Sequence, residues 1–234
     1  MKKTKSLYLA LIALMLSPMA VYAVSINFGF ETGDLTGWTV GTLTGSGSAN
    51  VVMFNTTNYS PGNWFGTDVT TNPDEGNWML AIGSGSAEIW QEVTQTFAMT
   101  AGETISGSAF FDWGDYWVAA NAFPDGAQVT ILDLAGVLIA TPWSDDGTNY
   151  CLVFCDPETG QAGAESGWTP WSFTASSAGD YTVVYAARNT ADGGGPNQTF
   201  GYFDVATVVP EPGTLALLGL GLAGMGLARR RKKV

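Results

Sequence analysis

Residues 88–97 read Glu-Ile-Trp-Gln-Glu-Val-Thr-Gln-Thr-Phe. Successive side chains of a strand point to opposite faces of a sheet. Ile89, Gln91, Val93 and Gln95 therefore share one side, and Glu88, Trp90, Glu92 and Thr94 share the other. The alternation predicts a strand with one buried face. The stretch from Trp78 to Ile82 repeats the pattern, with Trp78, Leu80 and Ile82 at alternate positions. Glu31-Thr32-Gly33-Asp34 and Ala101-Gly102-Glu103 read as turns, and 104–113 as the strand that follows the second. Residues 128–134 and 137–141 predict a hairpin around Ala135-Gly136. Further short runs at 25–28, 38–42, 51–54, 168–174, 180–188 and 201–208 are divided by Gly, Asn, Asp and Pro. Long helical patterns are absent. Ten or eleven such strands predict an all-β, two-sheet jelly-roll sandwich.

Composition supports a packed domain. The chain has 9 Trp, 12 Phe, 8 Tyr and 30 Gly, enough aromatic area for a core and enough glycine for many turns. Two stretches, 56–76 and 144–167, predict long loops of the kind that carry binding on a sandwich.

The ends read as addresses. Lys2, Lys3 and Lys5 precede an apolar run from Leu7 to Leu16. Pro18 closes it, and Val21-Tyr22-Ala23 offers small residues around a cut after Ala23, the pattern of a secretory signal peptide over 1–23. At the other end, 209–234 begins with Pro210-Glu211-Pro212-Gly213. An apolar run from Leu215 to Ala228 follows, and then Arg229, Arg230, Arg231, Lys232 and Lys233. If helical, the run measures about 21 Å at roughly 1.5 Å per residue, against a hydrocarbon core about 30 Å thick. This predicts a short transmembrane helix serving as a provisional anchor, its basic end held on the cytoplasmic side. An ordinary C-terminal anchor is the alternative. The folded domain is expected over 24–208.

Charge is divided between these parts. Of 9 Lys+Arg, only Arg188 lies within 24–208, against 20 of the 21 Asp+Glu. So acidic a body repels nucleic acid and attracts divalent cations. Histidine is absent from the chain, which excludes Ser-His-Asp and Cys-His catalysis and His-ligated zinc. Carboxylate pairs such as Asp112 and Asp115, or Asp145 and Asp146, leave only glycosidase-type chemistry. Acids are too plentiful here for such a pair to signal an enzyme, and the expectation is a non-enzyme. Cys151 and Cys155, closely spaced in an exported chain, predict one small-loop disulfide; zinc binding and a redox pair are the rival readings. Phe110 to Trp117 is the strongest ligand candidate. Phe111, Trp113 or Trp117 would stack on sugar rings, with Asp112 and Asp115 accepting hydroxyl hydrogens and Trp64 and Trp143, in or beside the long loops, contributing. Core or loop packing is the other reading of those rings. Arg188 would by default pair with a nearby acid; the alternative is an acidic sugar.

Two resemblances rest on these residues. The tail, Pro210-Glu211-Pro212 followed by an apolar run and an Arg-rich end, resembles the PEP-CTERM sorting signal of Gram-negative bacteria. That resemblance implies removal by a membrane-embedded protease of the exosortase type. It also implies an inner-membrane-anchored precursor, transient membrane association through the tail, and a final place at the cell surface or in a biofilm exopolysaccharide matrix. The body is similar to galactose-binding-like jelly rolls of carbohydrate-binding modules, through Asn27 to Trp38, Ile89 to Val93 with Ala101-Gly102, and Gly201 to Val205. This second resemblance implies a structural Ca²⁺ near the first and last strands, held by Glu31 and Asp204 with carbonyls near Phe28 and Gly29. The alternative has Glu31 bonding its own turn and Asp204 facing solvent. The expected function is that of an exported matrix protein with a non-catalytic, glycan-binding sandwich. A structural or adhesive protein without a sugar ligand is the alternative, and a polysaccharide-acting enzyme the third reading.

Overall fold

The computed structural model describes residues 27–53, 55–56, 70–85, 88–112, 125–146, 167–190 and 199–209, with backbone alone for 55–56, 70–71 and 205–209. Twelve strands appear there: β1 (Thr39–Val40), β2 (Ser48–Val52), β3 (Asn55–Thr56), β4 (Thr70–Thr71), β5 (Met79–Gly83), β6 (Gln91–Met99), β7 (Thr104–Asp112), β8 (Gly126–Asp133), β9 (Leu138–Asp145), β10 (Thr169–Thr174), β11 (Gly179–Arg188) and β12 (Phe200–Val209). Two five-stranded antiparallel sheets form the sandwich, in the orders β1-β6-β11-β8-β9 and β10-β7-β12-β5-β2. β3 and β4 make a separate two-stranded pair. The expected jelly-roll sandwich is the fold.

Strand β6 shows the sequence logic in place. Gln91, Val93, Gln95, Phe97 and Met99 are buried, and the residues between them are partly or fully exposed. The buried Gln91 has its polar atoms paired: Oε1 accepts from the Thr44 amide at 2.8 Å, and Nε2 donates to Thr44 Oγ1 and the Ile89 carbonyl, both at 3.0 Å. Such pairing removes most of the cost of placing an amide in a core. Strand β5 differs from the alternation expected of it, because all five residues are buried. Its outer face is covered by a second apolar cluster of Met79, Ala81, Phe110, Phe200 and Tyr202.

The main core is an aromatic stack between the sheets. Tyr185 of β11 lies on Phe203 of β12, ring centroids 4.5 Å apart and 16° from parallel. Trp38 stacks on the same tyrosine at 5.2 Å, and Phe30 on Trp38 at 5.0 Å. Gly201 permits this approach: a Cβ there would lie 3.0 Å from both the Ala127 Cβ and the Phe203 ring.

Residues 27–28 depart from the strand expected at 25–28, of which 25–26 lie outside the described residues. Asn27 and Phe30 sit at φ 58° and 57°, in the left-handed region, and Phe28 lies in a turn. Asn27 staples the loop: Oδ1 accepts from the Thr32 amide at 3.1 Å, and Nδ2 donates to the Asp34 carbonyl at 2.8 Å. Asp34 accepts from the Thr36 amide and the Thr32 hydroxyl, which hold its carboxyl below its ordinary range. The loop thereby delivers Phe28, Phe30 and Trp38 to the core.

The register defines two ends. One gathers the start of β8, the end of β11, the start of β6 and the end of β9, through Arg188↔Gly126, Ala187↔Gln91 and Ala127↔Asp145. The other gathers the ends of β6, β8, β10 and β12, through Gly179↔Met99, Tyr181↔Asp133, Thr174↔Thr104 and Val209↔Thr104.

The Tyr185 hydroxyl is buried without a hydrogen-bond partner, and burial together with the Asp204 charge raises its pKa. Tyr185→Phe should therefore hold or raise stability by up to about 1 kcal/mol in urea unfolding. Tyr185→Ala should cost about 3–5 kcal/mol through the lost ring.

Candidate functional site

A cleft of about 380 Å³ opens at the first of these ends, lined by Trp90, Gly126, Ala127, Gln128, Ser144, Asp145, Asp146 and Arg188. Sheet register assembles it: β11 brings Arg188 beside Gly126, and β8 brings Ala127 beside Asp145. Trp90 precedes β6 on the polar side of its alternation. The Arg188 guanidinium lies over its indole, Cζ 4.7 Å from the ring centroid, a cation–π geometry that favours keeping the long side chain over the ring. Gly126 keeps the floor open, because a Cβ there would stand 3.3 Å from the Asp145 carbonyl and 3.4 Å from the Trp90 ring.

Behind the floor lies a buried polar layer. Asp125 Oδ1 accepts from the Thr190 amide at 2.7 Å, and its Oδ2 accepts from the Thr199 hydroxyl. The Thr199 amide donates to Ser84 Oγ at 3.1 Å, and the Ser84 amide to the Thr199 carbonyl at 2.8 Å. These bonds tie the segments around 84, 125, 190 and 199 together.

The cleft combines a planar cationic donor, an amide, a hydroxyl and two carboxylates within one open space. That is a donor and acceptor set for a ligand dense in hydroxyls. Sequence reasoning singled out Arg188 and the Asp145-Asp146 pair separately and passed over Trp90 and Gln128. The available signal was Trp90 itself, a large aromatic on the polar face of an alternating strand.

Glu31 and Asp204 are brought to one loop from opposite ends of the domain. Glu31 Oε1 accepts from the Asn77 and Trp78 amides at 3.0 and 3.1 Å. Asp204 Oδ2 accepts from the Glu75 amide at 2.9 Å. Between them Gly76 sits at φ +67°, where a Cβ would collide with the Glu31 carboxylate. Asp204 does not face solvent, since its exposure is 0%. Glu31 bonds this second loop in place of its own turn. Among the described residues, no group of three or more His, Cys, Asp or Glu is placed to share a metal ion. The two carboxylates are hard oxygen donors suited in kind to Ca²⁺.

Other candidates lie outside the described residues: Trp113, Asp115, Trp117, Trp64, Cys151, Cys155, Ala23, Pro210, Glu211 and Pro212. The first three follow Asp112, the last residue of β7, which pairs with Phe200 at the cleft end. Phe111 and Trp143 are packed in the main core and Asp112 is buried, so Phe111, Trp143 and Asp112 offer no open platform.

Residues 208–232 match the PEP-CTERM protein-sorting motif. No curated protein matches the sequence. Similar solved structures include TmCBM61 in complex with beta-1,4-galactotriose, at 15% identity and TM-score 0.42, covering 80% of this chain and 97% of that one. Another comes from work on carbohydrate-binding modules of the beta-sandwich superfamily, at 14% identity and TM-score 0.45, covering 82% and 64%. A third is the enzymatically active domain of tailspike protein 4 of bacteriophage CBA120, at 12% identity and TM-score 0.38, covering 81% and 22%.

Gly76→Ala should destabilise the domain by on the order of 1–3 kcal/mol, from left-handed strain and the displaced carboxylate. Glu31→Gln keeps an acceptor oxygen and should cost less. Thermal melts of the two variants test the ordering.

Proposed function

We propose that this chain is an exported surface or matrix protein that binds glycan without altering it. The cleft is its binding site, and the 209–234 tail is removed by an exosortase-type membrane protease. The observation that carries the glycan reading is Arg188 set over Trp90 in one cleft with Asp145, Asp146, Gln128 and Ser144. A sugar offers vicinal hydroxyls that both donate and accept, and fixed guanidinium and carboxylate groups meet them in pairs. Trp113, Asp115 and Trp117 extend the same site in this reading. The Pro210-Glu211-Pro212 motif lies within the matched segment and supports export, with an inner-membrane precursor and release to the cell surface. In that oxidising setting Cys151 and Cys155 form a disulfide.

The experiment is a glycan array probed with the purified protein, followed by calorimetry on the strongest ligand. Arg188→Ala and Asp145→Ala should each weaken binding by about 10-fold or more, the loss of charge-assisted hydrogen bonds worth roughly 1.5–3 kcal/mol. An array with no binding favours the structural, adhesive reading. Release of reducing ends from matrix polymer would make the protein an enzyme.

Ca²⁺ at Glu31 and Asp204 belongs to the same proposal. Its support is the convergence of two carboxylates on one loop: Glu31 and Asp204 both accept from amides of residues 75–78, and carboxylate and carbonyl oxygens are the donors Ca²⁺ takes. The melting temperature should fall on adding EDTA and recover with excess Ca²⁺; an unchanged melt removes the ion from the account.

A further inference from the structure

Four of the eight large apolar residues exposed among the described residues fall within one six-residue stretch. They are Leu134, Val137, Leu138 and Ile139, exposed by 74%, 57%, 57% and 48%. The stretch is the tip of the β8–β9 hairpin, and its shape is fixed. Asp133 Oδ1 accepts from the Ala135 and Val137 amides at 2.9 and 2.8 Å, and Gly136 takes φ +78°. Asp133 thus turns its charge toward the turn's own amides and leaves an apolar knuckle outside.

The tip's position gives it a use. Register places Asp133 beside Tyr181 at the end of the sandwich where β12 finishes, Val209 paired with Thr104. β12 is the middle strand of its sheet, so the chain leaves the domain from that end. Residues 210–214 alone separate Val209 from the apolar run, and five residues reach at most about 18 Å. The sorting segment matched at 208–232 begins inside the strand itself.

We propose that the Leu134–Ile139 tip is a membrane-contact site, dipping into the lipid interface while the tail still anchors the chain. This rests on the reading of the tail as a membrane anchor. An apolar tip held within a short tether of a bilayer loses water contact by entering the interface. A zwitterionic lipid surface is the fitting occupant, because Asp133 and Asp180 stand at this end and 24–208 holds no lysine to attract anionic lipid.

The test uses the full chain in phosphatidylcholine vesicles, with the photo-crosslinking residue benzoylphenylalanine in place of Val137, Leu134 or, at the distal end, Thr42. All three positions are exposed, and near-UV circular dichroism checks the fold. After illumination, mass spectrometry should find several-fold more lipid adduct from positions 137 and 134 than from 42. Equal adduct at all three, or adduct to a second copy of the chain in place of lipid, overturns the proposal. A chain that does not float with the vesicles overturns the reading of the tail, and this proposal with it.

Discussion

The face-to-face contact of Tyr185 and Phe203 joins the middle strands of the two sheets. Large flat rings stacked off-centre bury much area at a defined spacing, so this pair sets how far apart the sheets stand. Both proposed ligand positions hang from it. Arg188 is three residues beyond Tyr185 on β11, and Asp204 follows Phe203 on β12. Displacing the stack would move the guanidinium at one end and the carboxylate under the 75–78 loop together. Trp38 and Trp171 close on Tyr185 from the remaining sides, and they couple the opening loop and β10 to the same contact.

Much of the fold was legible because two faces of each strand meet different surroundings. β6 reads directly, and the β8–β9 hairpin follows from Ala135-Gly136. The opening loop was legible in part. Glu31-Thr32-Gly33-Asp34 reads as a turn and is one, but Phe28 and Trp38 look like strand residues, and only the side-chain bonds of Asn27 reveal that a stapled loop carries them. β5 was legible as a strand but not as one buried on both faces, since its cover comes from residues far along the chain. The site divides similarly. Glu31 and Asp204 were found through resemblance, but their shared loop emerges only in three dimensions. Trp90 and Arg188, 98 positions apart in sequence, meet because β6 and β11 are paired neighbours.

Uneven charge shapes the rest. A core of stacked rings needs no ion pairs, and the domain has almost none to offer. The polar groups it does bury are answered chiefly by amides and hydroxyls, as at Gln91, Asp125 and Asp204. Apart from Arg188, basic residues are confined to the two segments read as addresses, a reading in which they set orientation at a bilayer.

That confinement has a consequence for survival among secreted hydrolases. A trypsin-like protease cuts after lysine or arginine, and from 24 to 208 it meets a single such bond. The bond follows Arg188 at the end of a paired strand, its guanidinium laid on an indole and the next residue, Asn189, fully enclosed. Endoproteases need an extended, accessible stretch to grip, and this one is withheld until the strand opens. The body is thus chemically silent to a whole class of digestive enzymes.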